Sequence, residues 1–305
     1  MIKTLTETFE PDLIFPLMDL TVEANALGEY TLFPQDAFPT VMKANSSIEQ
    51  LISSMQVDIA FDTRILGYVE TLKMMSVGLS PTILKGAYVT GPYTLVTQLL
   101  GADRAAITTI SDPDTLTLLC SLALEKIQSY IRMLLASGAQ VLCILEPSAV
   151  MLGADEFERF SAQYVRKINN SCRDTGVTTV YHICGNSMHL IDKMVESGVG
   201  ALSLDSPQAG VDLPAVAEKA SSDIVLIGNI NPTGSMLKGN PVDVAAEVAD
   251  LLKSMESYPN FVLSTGCDLP RETPVENIYA FMHEGRREHP GNYTTCYSDA
   301  IPTTV

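Results

Sequence analysis

The chain has 305 residues, 46% of them hydrophobic, and its 36 Asp and Glu against 19 Lys and Arg leave a net charge of −17. That length buries a large core, and a single α/β barrel of roughly 250 residues or more would use all of it. Such acidity opposes docking on a phosphate backbone, which argues against nucleic acid as a partner, and no apolar run approaches the ~20 residues of a membrane span.

The opening Met1-Ile2-Lys3-Thr4-Leu5-Thr6-Glu7 lacks the basic-then-apolar pattern of a signal peptide, so a cytoplasmic location is expected. Six cysteines in an irregular scatter then read as free thiols or metal ligands rather than a disulfide framework. A first run of strand length covers 13–18. Residues 32–80 are less regular, and an irregular cap or long loop with one or two helices is expected there. Further strand-length runs at 84–90, 140–145, 177–181, 199–204, 224–227 and 261–264 alternate with segments of helical period, the pattern of repeated βα units. Asp112-Pro113-Asp114 opens a long helix to Ala136, and Asp155 opens another to about Arg173. Gly138 and Gly176 stand where helix-terminating glycines are expected. Later helices are expected over 187–197, 213–220, 242–255 and 275–287.

His182-Ile183-Cys184 follows one of these runs, and Cys267, in Ser264-Thr265-Gly266-Cys267-Asp268-Leu269-Pro270, follows another. A donor pair at i and i+2 points both side chains the same way off a strand end. A third thiol from another strand end completes a Cys2His zinc set with one coordination position open, which is the geometry of a catalytic site. Closed structural sites usually take four protein ligands, often as C-x-x-C pairs, and this chain has no C-x-x-C. Spacing alone also suits inert residues, because Cys behaves as a small, often interior hydrophobe.

Asp19, Glu146, Asp205 and Asn229 likewise follow strand-length runs. The strand C-termini of a parallel barrel open on one face, where active sites lie, so Glu146, Asp205 and Asn229 are expected to line one pocket with the soft donors. Each also has a local reading: Asp19 and Asp205 as helix N-caps, Glu146-Pro147 as a turn, Asn229 and Asn231 as loop formers.

Three segments carry a family resemblance. Val89-Thr90-Gly91-Pro92-Tyr93-Thr94, Gly228-Asn229-Ile230-Asn231-Pro232 and the stretch from Gly266-Cys267-Asp268 through Pro274-Val275-Glu276-Asn277-Ile278 resemble the uroporphyrinogen decarboxylase superfamily, over about residues 10–288. His182-Ile183-Cys184 with the distant Cys267 resembles its methylcobalamin:coenzyme M methyltransferase branch, as does Phe15-Pro16-Leu17-Met18-Asp19-Leu20-Thr21-Val22-Glu23-Ala24. Decarboxylases of the superfamily show Gly-His-Gly where this chain has Gly266-Cys267-Asp268.

The resemblance implies an α/β fold, a TIM (β/α)8-type barrel, filling residues 1–305 as one domain. It implies transfer of a methyl group from methylcobalamin, or from a corrinoid protein carrying it, to a small thiol such as coenzyme M. Zn2+ would be held by His182, Cys184 and Cys267, and Asp205 matches the position of a displaceable carboxylate in the fourth place. Asp205, Glu146 and Asn229 are the candidate catalytic residues, and Asp19 and Asn229 the candidate cofactor-binding ones. Tetrahydrofolate and homocysteine stay open as acceptors. The alternatives are a uroporphyrinogen decarboxylase-like enzyme and a metal-free corrinoid-binding barrel with inert cysteines.

One departure stands out. Superfamily members begin with several tens of further residues that carry the first barrel strand and, in the decarboxylases, arginines for porphyrin carboxylates. This chain starts after that segment, which argues against porphyrin decarboxylation and leaves the barrel one strand short. Either a segment such as the C-terminal tail fills the gap, or the barrel stays open between its second and eighth strands with edges that need covering. An open barrel favours a homodimer, or a place in a longer protein. No Gly-x-Gly-x-x-Gly, P-loop or G-x-S-x-G sequence supports a nucleotide cofactor or a serine nucleophile.

Overall fold

The computed structural model describes residues 1–42 and 46–287. Its strands are β1 (Leu13–Ile14), β2 (Thr31–Leu32), β3 (Thr40–Val41), β4 (Leu84–Thr90), β5 (Val141–Leu145), β6 (Thr178–Ile183), β7 (Ala201–Leu204), β8 (Val225–Ile230) and β9 (Phe261–Thr265). β2 and β3 form a small antiparallel hairpin, and the other seven make one parallel sheet in the order β1-β4-β5-β6-β7-β8-β9. Each of the seven strand-length runs in the sequence contributes one strand of this sheet.

Both faces of the curled sheet are covered. Every residue of β5, Val-Leu-Cys-Ile-Leu, is buried, as expected for a parallel strand between a barrel interior and an outer helical layer. Val141, Cys143 and Leu145 join Val180 and Ala201 in the inner cluster, with Phe15, Tyr88 and Ile227 packed against it. Leu142 and Ile144 alternate outwards into the main core with Tyr181, Ile183, Leu202 and Leu204. A third cluster joins Ile230 and Leu263 to the helices Pro241–Met255 and Val275–Arg287.

β1 and β9 are the two sheet edges, with no ladder between them among the described residues. Among the described residues the sheet is therefore not closed into a barrel between β1 and β9. The suggestion that the C-terminal tail fills this gap concerns residues outside those described. The helix Ile2–Phe9, which the sequence pattern did not reveal, packs on Val275–Arg287: the rings of Phe9 and Tyr279 lie 5.0 Å apart, and Arg286 donates to the carbonyls of Phe9 and Glu10.

The expected cap contains the β2–β3 hairpin and the helices Ile48–Ser54 and Thr63–Gly78, the latter started by Asp62, whose carboxylate accepts the N–H groups of Arg64 and Ile65. The long helix is Pro113–Ala136, and Gly138 and Gly176 both take positive φ, 99° and 77°. Two expected helices differ in detail. The one opened near Asp155 contains a π turn at Glu158–Ala162, and the one expected over 187–197 is only Ile191–Glu196, because Leu190 N–H closes a turn onto Ser187 O. Pro92–Leu100 and Ala102–Ser111 were also not foreseen. Among the described residues no helix is long and apolar enough to cross a membrane.

Candidate metal centre

β6 ends on His182 and Ile183 and delivers Cys184 one residue later, with the side chains of 182 and 184 on the barrel side of the strand. Cys267 comes from beyond β9, three strands along the sheet. His182 Nε2 lies 3.1 Å from Cys184 Sγ, which is 3.5 Å from Cys267 Sγ, and the ligating atoms of all three fall within 4.8 Å of one another. Ligands at zinc-bonding distances in a tetrahedron are about 3.5 to 3.8 Å apart. One nitrogen and two sulfurs at these separations suit a soft or borderline cation, and three donors leave a fourth position.

Sheet register explains how the histidine is held. His182 pairs with Ser203 of β7, so both side chains project to the same face, and His182 Nδ1 meets Ser203 Oγ at 3.0 Å. That contact occupies one ring nitrogen and leaves Nε2 facing the sulfurs, the arrangement by which an outer partner orients a metal-binding imidazole. Cys267 is pulled down to about 4, first by the hydrogen bond from Cys184 and then by the one from His182, while the same bond and burial push Cys184 up. The next residue, Asp268, is raised by burial and by the Cys267 charge.

Cys267 reaches the pair because the chain ahead of it can approach another backbone closely. A Cβ at Gly266 would stand 2.6 Å from Ser206 N and 2.9 Å from Asp205 C, closer than any side chain allows. Asp205 braces the opposite side: its Oδ2 accepts Gly185 N–H at 2.7 Å and its Oδ1 accepts Ser206 N–H at 2.6 Å. The carboxylate expected in the fourth coordination place thus lies outside the converging donor set and is bonded to the backbone.

A cavity of about 340 Å³ opens beside the donors, lined by His182, Ser203, Cys267 and Asp268 and walled by groups such as Tyr88 and Leu145. None of Glu146, Asp205 and Asn229, which the sequence expects to line one pocket with the donors, lines this cavity. Glu146 is wholly buried under the helix Pro92–Leu100, accepting the N–H groups of Tyr93 (3.1 Å) and Thr94 (2.8 Å) and the Thr94 hydroxyl (2.7 Å). Burial raises it to about 7 against these bonds. Asn229 donates to Asp205 O at 2.9 Å and to Val211 O at 3.4 Å, tying loops together. Asp19 accepts Thr21 N–H and Oγ1–H and pairs with Arg64 of the cap. All three serve as struts, because a strand-end polar group turns towards whichever unpaired N–H or C=O is nearest.

Ser203, Asp268, Gly266 and Glu23 were not found from the sequence. Glu23 is buried, accepts Thr90 N–H at 2.8 Å and the Thr90 hydroxyl at 3.0 Å, and is raised to about 7 by burial. Gly266, Asp268 and Glu23 lie within the segments that carry the family resemblance, and Ser203 lies within a strand-length run that meant nothing until its register with His182 was known. Cys120, Cys143 and Cys172 are buried free thiols. His189 sits in a turn with Nε2 3.1 Å from Leu152 O.

An open (β/α)8-type barrel with a His-Cys-Cys donor set on its C-terminal rim is the class that the fold and site define. The uroporphyrinogen decarboxylase (URO-D) family model matches residues 4–288, and the chain belongs to that family. Its relatives fall on two sides. Methylcobamide:CoM methyltransferase MtbA of Methanosarcina acetivorans is 29% identical over 152 residues, 49% of this chain and 42% of that protein. Uroporphyrinogen decarboxylase of Synechococcus sp. is 25% identical over 288 residues, 92% of this chain and 79% of the relative. The match to MtbA therefore spans less than half of that relative's length. Among solved structures, a methyltransferase from Methanosarcina mazei superposes with a TM-score of 0.85 at 22% identity, over 94% of this chain and 83% of that one, which shows the fold.

Proposed function

We propose that the chain is a zinc-dependent methyltransferase that moves a methyl group from a methylated corrinoid, carried by a partner protein, to the sulfur of a small thiol. The carbon–cobalt bond breaks with its electron pair left on cobalt, and a sulfur–carbon bond forms. The observation that carries this reading is the approach of His182, Cys184 and Cys267 to within 4.8 Å of one another from two separate strand ends. Similarity to methylcobamide:CoM methyltransferases supports it.

His182, Cys184 and Cys267 would hold the zinc. The chemistry zinc supplies when bound is ionisation of a thiol in the open coordination position, so that a thiolate is present below the ordinary thiol pKa of ~8.5. Ser203 fixes the His182 ring, and Asp205 holds the turn at Gly185 that aims Cys184. Apolar groups such as Tyr88 and Leu145 wall the adjoining cavity in which the acceptor would lie. Uroporphyrinogen decarboxylation is the second reading, favoured by the 92% of the chain that the Synechococcus relative covers, but it makes no use of three soft donors at one point.

Metal analysis and a transfer assay with methylcobalamin test the proposal together. About one zinc per chain is expected, with zinc and transfer both lost in Cys184→Ser and Cys267→Ser. Transfer should persist below the free thiol's pKa and decline only where protons compete for the ligands. Full activity in Cys267→Ser, or a rate that simply tracks the free thiolate fraction of the acceptor, overturns it.

A further inference from the structure

We infer that the acceptor this site takes is a small uncharged alkyl thiol, and that it discriminates against thiols carrying a sulfonate or carboxylate. The inference rests on the methyltransferase reading and names the substrate class of that same site. Among the described residues the cavity touching His182 and Cys267 is lined by no Lys or Arg; the carboxylate beside the donors is Asp268, while Asp12 precedes β1 at the opposite strand ends. Of the described cations on the surrounding loops, Arg64 is paired with Asp19 and lies over the Phe33 ring, and Arg271 is exposed and reaches Asp36 at 3.4 Å rather than lining the cavity. An anionic group brought into this space would lose its hydration with no opposite charge among the described lining residues to meet it, and would face the carboxyl of Asp268.

The walls suit an alkyl chain. Phe15 and Tyr88 stack with ring centroids 4.4 Å apart, and Phe15 fits inside the barrel only because β4 presents Gly86 beneath it, where a Cβ would stand 2.2 Å from the ring. Met18, Leu145, Val180 and Ile227 extend the same apolar surface around the donors. About 340 Å³ is at the small end of ligand pockets and holds a thiol of a few carbons.

The test uses the zinc-loaded chain and three thiols of matched length: 1-propanethiol, 2-mercaptoethanesulfonate and 2-aminoethanethiol. Binding is measured by calorimetry without any methyl donor, and kcat/KM is measured with methylcobalamin. We expect 1-propanethiol to bind and react at least tenfold better than the sulfonate, with Asp268→Asn narrowing that gap at unchanged zinc content. A sulfonate that binds as tightly as 1-propanethiol, or an ammonium thiol preferred tenfold over it, overturns the inference and leaves the methyltransferase reading standing. A chain that binds no zinc and methylates none of the three removes both.

Discussion

Ser203 carries no motif, yet it is the partner that fixes the His182 ring. Replacing it with Ala leaves Nδ1 without that partner, and such outer partners are typically worth about 10- to 100-fold in metal affinity. Ser203→Ala is therefore expected to weaken zinc binding by that factor in competition with a chelator, and Ser203→Thr to recover part of it; equal affinity in all three proteins would exclude the role. Glu146 gives a second residue-level expectation. Its native value of about 7 lies above the ordinary 4.5, so between those pH values the native chain keeps a proton that the unfolded chain has released. Stability from this group is thus full below pH 4.5 and is lost as pH rises towards 7, by about 3 kcal/mol. Glu23 acts in the same direction. Urea unfolding across this window should show Glu146→Gln with a flatter pH dependence than the unaltered chain, and an identical slope would mean that Glu146 does not titrate there.

At the scale of elements, the site depends on how closely the end of β9 approaches the loop after β7. Gly266 is the contact point, and the atoms a Cβ would meet are backbone atoms of Asp205 and Ser206, which cannot rotate away. Gly266→Ala should part the two strand ends and draw Cys267 from the other donors, with zinc largely lost while the far-UV signal of the fold is kept. Retention of stoichiometric zinc in that variant would show that the approach is not needed. Strand positions were legible in the sequence because apolar runs of strand length and terminal glycines are local signals. The π turn at Glu158–Ala162 and the shortened helix Ile191–Glu196 were not, since both arise from how the chain closes against its neighbours.

For the whole molecule, cap and barrel share one core. Leu51, Met55, Ile59, Ile65 and Leu72 of the cap belong to the same buried cluster as Leu142 and Ile144 of β5. Separating them would expose that cluster, so we expect a single unfolding transition in urea, with near- and far-UV circular dichroism changing together. Two resolved transitions would mean that the cap folds as a unit of its own. The Asp19–Arg64 pair, which ties the loop after β1 to the cap helix Thr63–Gly78, belongs to this coupling.

The sequence by itself determined the parallel βα architecture and singled out His182, Cys184 and Cys267 as soft donors at strand ends, while leaving open whether the barrel closes. Side-chain periodicity and donor chemistry are properties of short stretches and survive without tertiary information. The tertiary structure alone decided which strand-end polar groups face the cavity. Glu146, Asp205 and Asn229 stood in the sequence as equals of His182, yet they turn to backbone groups of neighbouring loops, while Ser203 and Asp268 reach the cavity. The physical reason is that a buried polar group bonds to whatever unpaired partner packing brings within reach, and packing is fixed by strand register and loop closure rather than by any local spacing.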